Sequence, residues 1–176
     1  MAINQNDILR YEAQASTKRS SELIKEAKAS RKQTAFLSHS HKDSRLAKSL
    51  QAFLQAQGWE IYIDWEDTSM PDSPTRETAK MIQAKIRDLD WFLFLGTQNS
   101  MKSRWCPWEI GYADGVKPID NILIIATADN SGTHASEYLQ LYRHIDPAKG
   151  GGFGAFNPNH GGIKVGALTP KRPNDK

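Results

Sequence analysis

The sequence predicts an α/β fold in which helices cover both faces of a mainly parallel sheet. Short apolar runs alternate with amphipathic segments through residues 33–147, which is typical of successive β-α-β units. Two of these runs, Phe92–Leu95 and Ile122–Ala126, are apolar at every position, as expected for strands that are buried on both faces. A length of 176 residues favours one such domain with appendages.

Five apolar runs are predicted to be strands, because each is short and is followed by turn or helix signals. They are Thr34–Ser38, Trp59–Ile63, Trp91–Leu95, Ile122–Ala126 and Tyr142–Ile145. We expect a doubly wound, flavodoxin-like sheet of about five strands in the common order 2-1-3-4-5. In that order the first and third predicted strands are neighbours.

The predicted helices carry apolar residues at helical spacing. In Ser44–Gln57 the apolar side chains fall on one face, and Gly58 supplies a stop. Similar spacing predicts a helix at Glu77–Asp88, and Pro107 suits the first turn of a helix that ends near Gly115. Ser136–Leu141 is predicted to be a short helix, and the proline-containing segment Thr68–Thr75 a loop.

The two ends differ from the middle in composition and charge. Residues 1–32 are predicted to be a helical extension with a polar break at 16–21, and the glycine-rich residues 148–176 an irregular tail. The first segment has seven Lys/Arg and four Asp/Glu, and the last has five and one, so the middle is acidic. A nucleic-acid-binding core shows the opposite distribution, so we expect no nucleic-acid partner.

Other features narrow the class of protein. The single cysteine, Cys106, excludes a framework of internal disulfides. No apolar run approaches the ~18 residues of a membrane helix, and Met1–Asn6 does not resemble a secretion signal. We therefore expect a cytoplasmic protein with no membrane partner.

Topology predicts where a ligand would bind. Parallel sheets bind ligands beyond the carboxyl ends of their strands, at the point where the strand order reverses. The loops Ser38–Asp43, Asp64–Asp67 and Gly96–Ser100 are expected to open on this rim. Glu109, near the start of the following helix, is expected to face the same crevice. A simpler interpretation is that the helix dipole favours a glutamate at this position.

Three motifs in these segments carry a family resemblance. Phe36–Asp43 resembles the first strand and loop of TIR (Toll/interleukin-1 receptor) domains, especially their bacterial branch. Gly58–Trp65 is similar to the second TIR strand where it enters the BB loop, and Ser103–Glu109 is similar to the Trp-Cys-x-x-Glu box. The resemblance covers about residues 33–146, and we assign the TIR-like domain to 33–147.

The resemblance implies an activity. Enzymatic TIR domains cleave NAD at the nicotinamide–ribose bond, some forming ADP-ribose and others cyclic products, and bacterial members often serve antiphage defence. Their catalytic glutamate corresponds to Glu109 and a conserved tryptophan to Trp105. We predict Glu109 as the catalytic residue, with NAD as substrate and no resident cofactor. The predicted substrate-binding residues are Ser38, His39, Ser40, Asp64, Trp65, Gly96 and Trp105.

The proposed chemistry needs few groups. Nicotinamide leaves as a neutral molecule from a cationic ring, so one carboxylate that stabilises the oxocarbenium charge can suffice. His39 and His41 lack a third ligand, so no metal is predicted. Trp65, Trp105 and Trp108 could stack on the substrate or pack in the core.

Further interpretations concern Asp43, Cys106 and the partners of the chain. Asp43 is expected to cap the helix from Ser44, and Cys106 is either a reactive thiol or a small buried residue. Many TIR enzymes are completed by the BB loop of a neighbouring chain, so self-association is expected, and an effector protein is a further partner. The alternative function is a non-catalytic interaction module that acts through Asp64–Thr75.

Overall fold

The computed structural model describes residues 2–15, 18–70, 75–135, 137–147, 153–158 and 161–170. Parts of four predicted features lie outside the described residues. These are the polar break at 16–21, the loop Thr68–Thr75, the helix predicted at Ser136–Leu141 and the glycine-rich tail 148–176.

The described residues contain nine strands and six α-helices. The strands are β1 (Ile3–Asn4), β2 (Gln33–Ser38), β3 (Trp59–Tyr62), β4 (Trp91–Gly96), β5 (Ile122–Asp129), β6 (Gly132–Thr133), β7 (Arg143–Pro147), β8 (Phe153–Phe156) and β9 (Gly162–Lys164). The helices are α1 (Gln5–Leu9), α2 (Ser20–Ala29), α3 (Ser44–Gln55), α4 (Arg76–Asp88), α5 (Gln98–Met101) and α6 (Trp105–Val116). Short 3₁₀ turns lie between them, including Glu137–Leu141.

The described strands form one sheet, and its main path runs β3-β2-β4-β5-β7-β8-β9. Pairing is parallel from β3 to β7 and antiparallel from β7 to β9. Strand β1 joins β5 in parallel, and β6 folds back on β5 antiparallel. The α/β class and the mainly parallel sheet are confirmed. The predicted count of about five strands is too low, because both chain ends and a hairpin after β5 add strands.

The chain ends depart most from expectation. The first 32 residues are mainly helical, but they begin with β1, where buried Ile3 lies opposite Thr127. The tail predicted to be irregular supplies β8 and β9. A Cβ at Gly162 would lie 2.4 Å from the Phe156 ring, so glycine makes room for an aromatic side chain within this ribbon. Glycine-rich composition was therefore a misleading signal for irregular structure.

Strand alternation divides the core between the two faces of the sheet. In β4, Trp91, Leu93 and Leu95 pack in the cluster that contains the apolar stripe of α3. Phe92 and Phe94 pack in the opposite cluster, with residues of α4 and α6. No helix among the described residues is both long enough and apolar enough to cross a membrane.

Candidate active site

Glu109 and Ser38 meet because each belongs to the α6 side of the sheet. Cys106, Ile110 and Ala113 form the buried stripe of α6, and Glu109 lies within that stripe at helical spacing. Ser38 shares a face of β2 with Phe36, which packs in the same core cluster. The Ser38 hydroxyl donates to Glu109 Oε2 at 2.5 Å, and Glu109 is only 4 % exposed.

Glu109 is a buried carboxyl group with little compensation for its charge. Burial raises its pKa to about 8, while the Ser38 hydroxyl opposes the shift. The charge of Asp64 adds to the increase, and His41 acts against it. Among the described residues, Ser38 is the only hydrogen-bond donor that Glu109 finds. Its other carboxyl oxygen, Oε1, accepts no hydrogen bond from the described residues.

Asp43 joins two of the loops that were expected to converge. Its carboxylate accepts from Thr97 Oγ1 at 2.5 Å and from Asn99 Nδ2 at 2.6 Å. The loop after β2 is thereby tied to the loop after β4. The expectation that Asp43 caps α3 is wrong for its side chain, which makes no capping hydrogen bond. Instead, Thr97 and Asn99, which follow β4, hold the Asp43 carboxylate through these two hydrogen bonds.

Trp65, which follows β3, and His39, which follows β2, contact each other. The Trp65 indole N–H donates to His39 Nε2 at 2.9 Å, although Trp65 itself is 41 % exposed. His39 is buried, and its other ring nitrogen lies 2.9 Å from the Leu37 carbonyl oxygen. Burial lowers the pKa of His39.

Asp64 is close to both histidines of the β2 loop. His41 Nε2 lies 3.2 Å from Asp64 Oδ2, and His39 Nε2 lies 4.0 Å from Asp64 Oδ1. Burial alone would raise the pKa of Asp64, but the hydrogen bond from His41 and the charge of that histidine lower it. The pKa of His41 is raised, chiefly by its hydrogen bond to Asp64. The charges of this pair both act on the pKa of Glu109, Asp64 raising it and His41 lowering it.

A pocket of about 420 Å³ opens next to this group. It lies at the carboxyl end of β3 and is lined by His41, Asp64, Trp65, Asp67, Thr68, Met70 and Thr78. This volume lies within the usual range for small-molecule sites. Its walls thus include two predicted site residues, Asp64 and Trp65.

Three other predicted site residues make local or packing contacts in this structure. The Ser40 hydroxyl accepts from the backbone N–H of Lys42 at 3.4 Å. A Cβ on Gly96 would lie 2.4 Å from Cβ of Ala135, so close packing requires a glycine there. Trp105 is half-buried and meets Trp108 edge to face, with ring centroids 5.3 Å apart.

Sequence reasoning missed the anchor of the loop that follows β3. Asp67 is buried and accepts from the Tyr62 hydroxyl at 2.7 Å, while Lys85 Nζ lies 3.1 Å away. The backbone and hydroxyl of Ser69 donate to its other oxygen. Only the acidic run around Asp67 marked this position, and such a run equally suits a solvated turn.

Cys106 is a buried residue rather than a reactive thiol. It is fully enclosed, and burial raises its pKa to about 11. A thiol with so high a pKa carries little thiolate at neutral pH. Among the residues that the structure describes, no group of three or more His, Cys, Asp or Glu side chains is arranged to hold a metal ion.

A doubly wound sheet with these motifs at its carboxyl edge defines the class of protein. The family model of the TIR domain matches residues 35–152, and the chain belongs to that family.

Two curated relatives give the comparison more detail. The chain is 35 % identical over 118 residues to a "Probable 3' cyclic ADP-D-ribose synthase ThsB'" of Bacillus cereus (strain MSX-D12), covering 65 % of this chain and 60 % of the relative. It is 32 % identical over 83 residues to a "Putative cyclic ADP-D-ribose synthase TIR2" of Cytobacillus dafuensis, covering 44 % and 21 %. The chain therefore spans less than two thirds of the length of either relative.

Proposed function

We propose that this protein cleaves NAD at the nicotinamide–ribose bond and converts the remainder to a cyclic ADP-ribose. The observation that carries the proposal is the buried Glu109 carboxyl, which has one neutral donor and is within electrostatic range of Asp64 and His41, two residues that line the pocket. Membership of the TIR family and the names of the two relatives support the same reaction.

In this proposal the Glu109 carboxylate stabilises the positive charge that develops on the ribose. As the glycosidic bond breaks, its electron pair leaves with nicotinamide, which becomes neutral, and the ribose gains oxocarbenium character. A carboxylate in a site that excludes water stabilises that charge more strongly than it stabilises the bound substrate. The free oxygen of Glu109 is suited to accept a hydrogen bond from a ribose hydroxyl.

The pocket supplies the second requirement, a surface for the nicotinamide ring. Trp65 presents a half-exposed indole there, and a cationic ring over an indole gains ~0.5–2 kcal/mol. Asp64 adds a negative charge near the same cation. Loss of that cationic charge on cleavage removes both attractions, which favours release of nicotinamide.

The second step determines the product. A nucleophilic atom of the ADP-ribose portion attacks the anomeric carbon to give a cyclic product, whereas attack by water gives ADP-ribose. The nearly complete enclosure of Glu109 favours cyclisation, because it limits water at the reacting carbon. We propose that the product acts in the cytoplasm as a diffusible signal in antiphage defence.

The deciding experiment compares NAD cleavage by the unmodified protein and Glu109→Gln. We expect the variant to lose about 1000-fold or more of the rate of nicotinamide release, in line with removal of a preorganised electrostatic group. Glu22→Gln is the matched control, because Glu22 is exposed on α2 and lies outside the site. Mass spectrometry of the products separates cyclic from linear ADP-ribose.

Protein concentration separates this proposal from a non-catalytic interaction module. If a neighbouring chain completes the site, turnover per chain should rise with protein concentration, so the assay is run over a wide concentration range. Absence of nicotinamide release across that range would contradict the proposed activity and favour the interaction module. Full turnover by Glu109→Gln would contradict the role assigned to Glu109.

A further inference from the structure

The contact between Trp65 and His39 specifies a single protonation state of the histidine. His39 Nδ1 lies 2.9 Å from the Leu37 carbonyl oxygen, which can only accept, so Nδ1 carries the proton. His39 Nε2 lies 2.9 Å from the Trp65 indole nitrogen, which can only donate, so Nε2 carries the lone pair. The neutral Nδ1–H tautomer is the one form of His39 that satisfies both contacts.

The hydrogen bond to His39 restrains the Trp65 side chain. Trp65 lies in a 3₁₀ turn after β3, is 41 % exposed and forms part of the wall of the 420 Å³ pocket. A half-exposed indole without a polar contact would populate several rotamers, and ordering it on ligand binding would cost free energy. A buried acceptor at the end of β2 selects one rotamer before the ligand arrives.

We propose that His39 is a positioning residue for Trp65, holding the indole at the pocket wall as a preformed stacking surface for the nicotinamide end of NAD. This inference rests on the proposed function for its ligand. His39 itself does not contact the substrate, because it is buried and both of its ring nitrogens are engaged. This indirect role differs from the prediction that His39 binds substrate directly.

The same geometry makes the contact sensitive to acid. A proton on His39 Nε2 would set two N–H groups against each other and release the indole. Asp64 Oδ1, 4.0 Å from Nε2, then becomes the nearest acceptor, although His41 already engages the other oxygen of Asp64. The negative charge of Asp43 also acts to raise the pKa of His39. Burial keeps the pKa of His39 below its usual value, so the contact is intact at neutral pH.

Three variants separate the hydrogen bond from the bulk of the residues. Trp65→Phe keeps an aromatic ring and removes the donor. His39→Leu removes the acceptor and keeps an apolar side chain in a buried position. His39→Gln restores a carbonyl acceptor close to the position of Nε2 and cannot be protonated in the same pH range.

The direct test uses the indole N–H resonances in a proton–nitrogen NMR spectrum and needs no substrate. The chain has five tryptophans, and the resonance missing from Trp65→Phe identifies Trp65. We expect this resonance to keep a hydrogen-bonded position at neutral pH in the unmodified protein and to shift only at a pH below the usual titration range of histidine. In His39→Gln it should keep a hydrogen-bonded position without that shift, and in His39→Leu it should move to the position of a free indole. An identical Trp65 resonance in the unmodified protein and His39→Leu would overturn the proposal.

The kinetic test asks whether the restraint serves the substrate. We expect KM for NAD to rise about tenfold in Trp65→Phe and in His39→Leu with little change in kcat, which is the loss of one positioning hydrogen bond. The double variant should be no worse than either single variant, and His39→Gln should retain most of the affinity. Additive effects, or unchanged KM with an intact Trp65–His39 contact, would contradict the positioning role. Absence of NAD cleavage in the unmodified protein would contradict the proposed function, while the NMR spectrum would still report on the contact.

Discussion

Two buried carboxyl groups, Asp67 and Glu109, differ in almost every electrostatic respect. Asp67, at the start of the loop after β3, receives four donors: the Tyr62 hydroxyl, Lys85 Nζ, and the backbone and hydroxyl of Ser69. Glu109, on α6, receives one from Ser38 among the described residues. Lys85 also lies 4.6 Å from the centre of the Tyr62 ring, which further fixes the Asp67 group.

The pKa values follow from this difference in donors. Burial acts to raise the pKa of both groups. At Asp67 the bonds from Ser69, Tyr62 and Lys85 outweigh burial and hold the pKa well below its usual range. At Glu109 burial dominates and raises the pKa to about 8. A buried carboxylate that accepts several hydrogen bonds stabilises the fold. A buried carboxylate with few donors destabilises the fold when it is ionised, and a bound cation can reduce that cost.

The largest effect on stability is expected at the satisfied carboxylate. Asp67→Asn removes the partner of Lys85 and weakens several hydrogen bonds, so the free energy of unfolding should fall by about 3 kcal/mol. Urea denaturation at pH 7 measures this change. Asp88→Asn is the control, because Asp88 forms an exposed pair with Lys28 and should change stability by less than about 1 kcal/mol. Equal losses in the two variants would show that Asp67 is no better integrated than a surface residue.

At Glu109, by contrast, the ionised carboxylate is expected to lower the free energy of unfolding. Its pKa of about 8 in the folded protein exceeds the ordinary 4.5 of the unfolded chain, so folding takes up a proton between these pH values. Stability from this group is complete below about pH 4.5 and is lost as the pH rises to 8. Glu109→Gln should therefore be more stable than the unmodified protein by about 4 kcal/mol at pH 8 and nearly equal at pH 4.5.

Urea denaturation of both proteins at several pH values tests this expectation. Other titrating groups are shared, so they cancel in the difference between the two curves. A difference that does not grow with pH would mean that Glu109 is ionised in the folded protein throughout this range.

The contrast also shows what a sequence can and cannot predict here. The meeting of Ser38 and Glu109 could be anticipated, because Ser38 ends an apolar strand and Glu109 shares a helical stripe with Cys106 and Ile110. Both patterns are local and periodic. The role of Glu109 in catalysis stays a prediction until turnover is measured.

The contacts of Asp67 and Trp65 were not predictable in the same way. They join a loop to α4 and to the end of β2, and loop geometry is not encoded by hydrophobic periodicity. Lys85 gives no sign in the sequence of pointing inward, since it lies in a helix with many charged residues. The strands β8 and β9 were missed for a related reason, because the fit of Gly162 against Phe156 depends on pairing across a ribbon.

The pH dependence of activity extends the comparison from stability to catalysis. If ionised Glu109 performs the reaction, kcat/KM for NAD should rise about tenfold per pH unit from pH 6.5 and level off near pH 8. The kcat profile should level off at lower pH, because the bound nicotinamide cation favours the carboxylate. Initial rates of nicotinamide release across this range measure both profiles. A flat kcat/KM profile would contradict a role for Glu109 as the titrating group.

The smallest effect is expected from removing a single hydroxyl at each carboxyl group. Ser38→Ala removes the only described donor to Glu109, and because that donor lowers the Glu109 pKa, the midpoint of the kcat/KM profile should move to higher pH. Ser69→Ala removes one of several donors to Asp67 and should cost about 1 kcal/mol of stability without moving that profile. A midpoint that moves to lower pH in Ser38→Ala would mean that the hydroxyl stabilises the protonated carboxyl instead, and the contrast with Asp67 would then rest on burial alone.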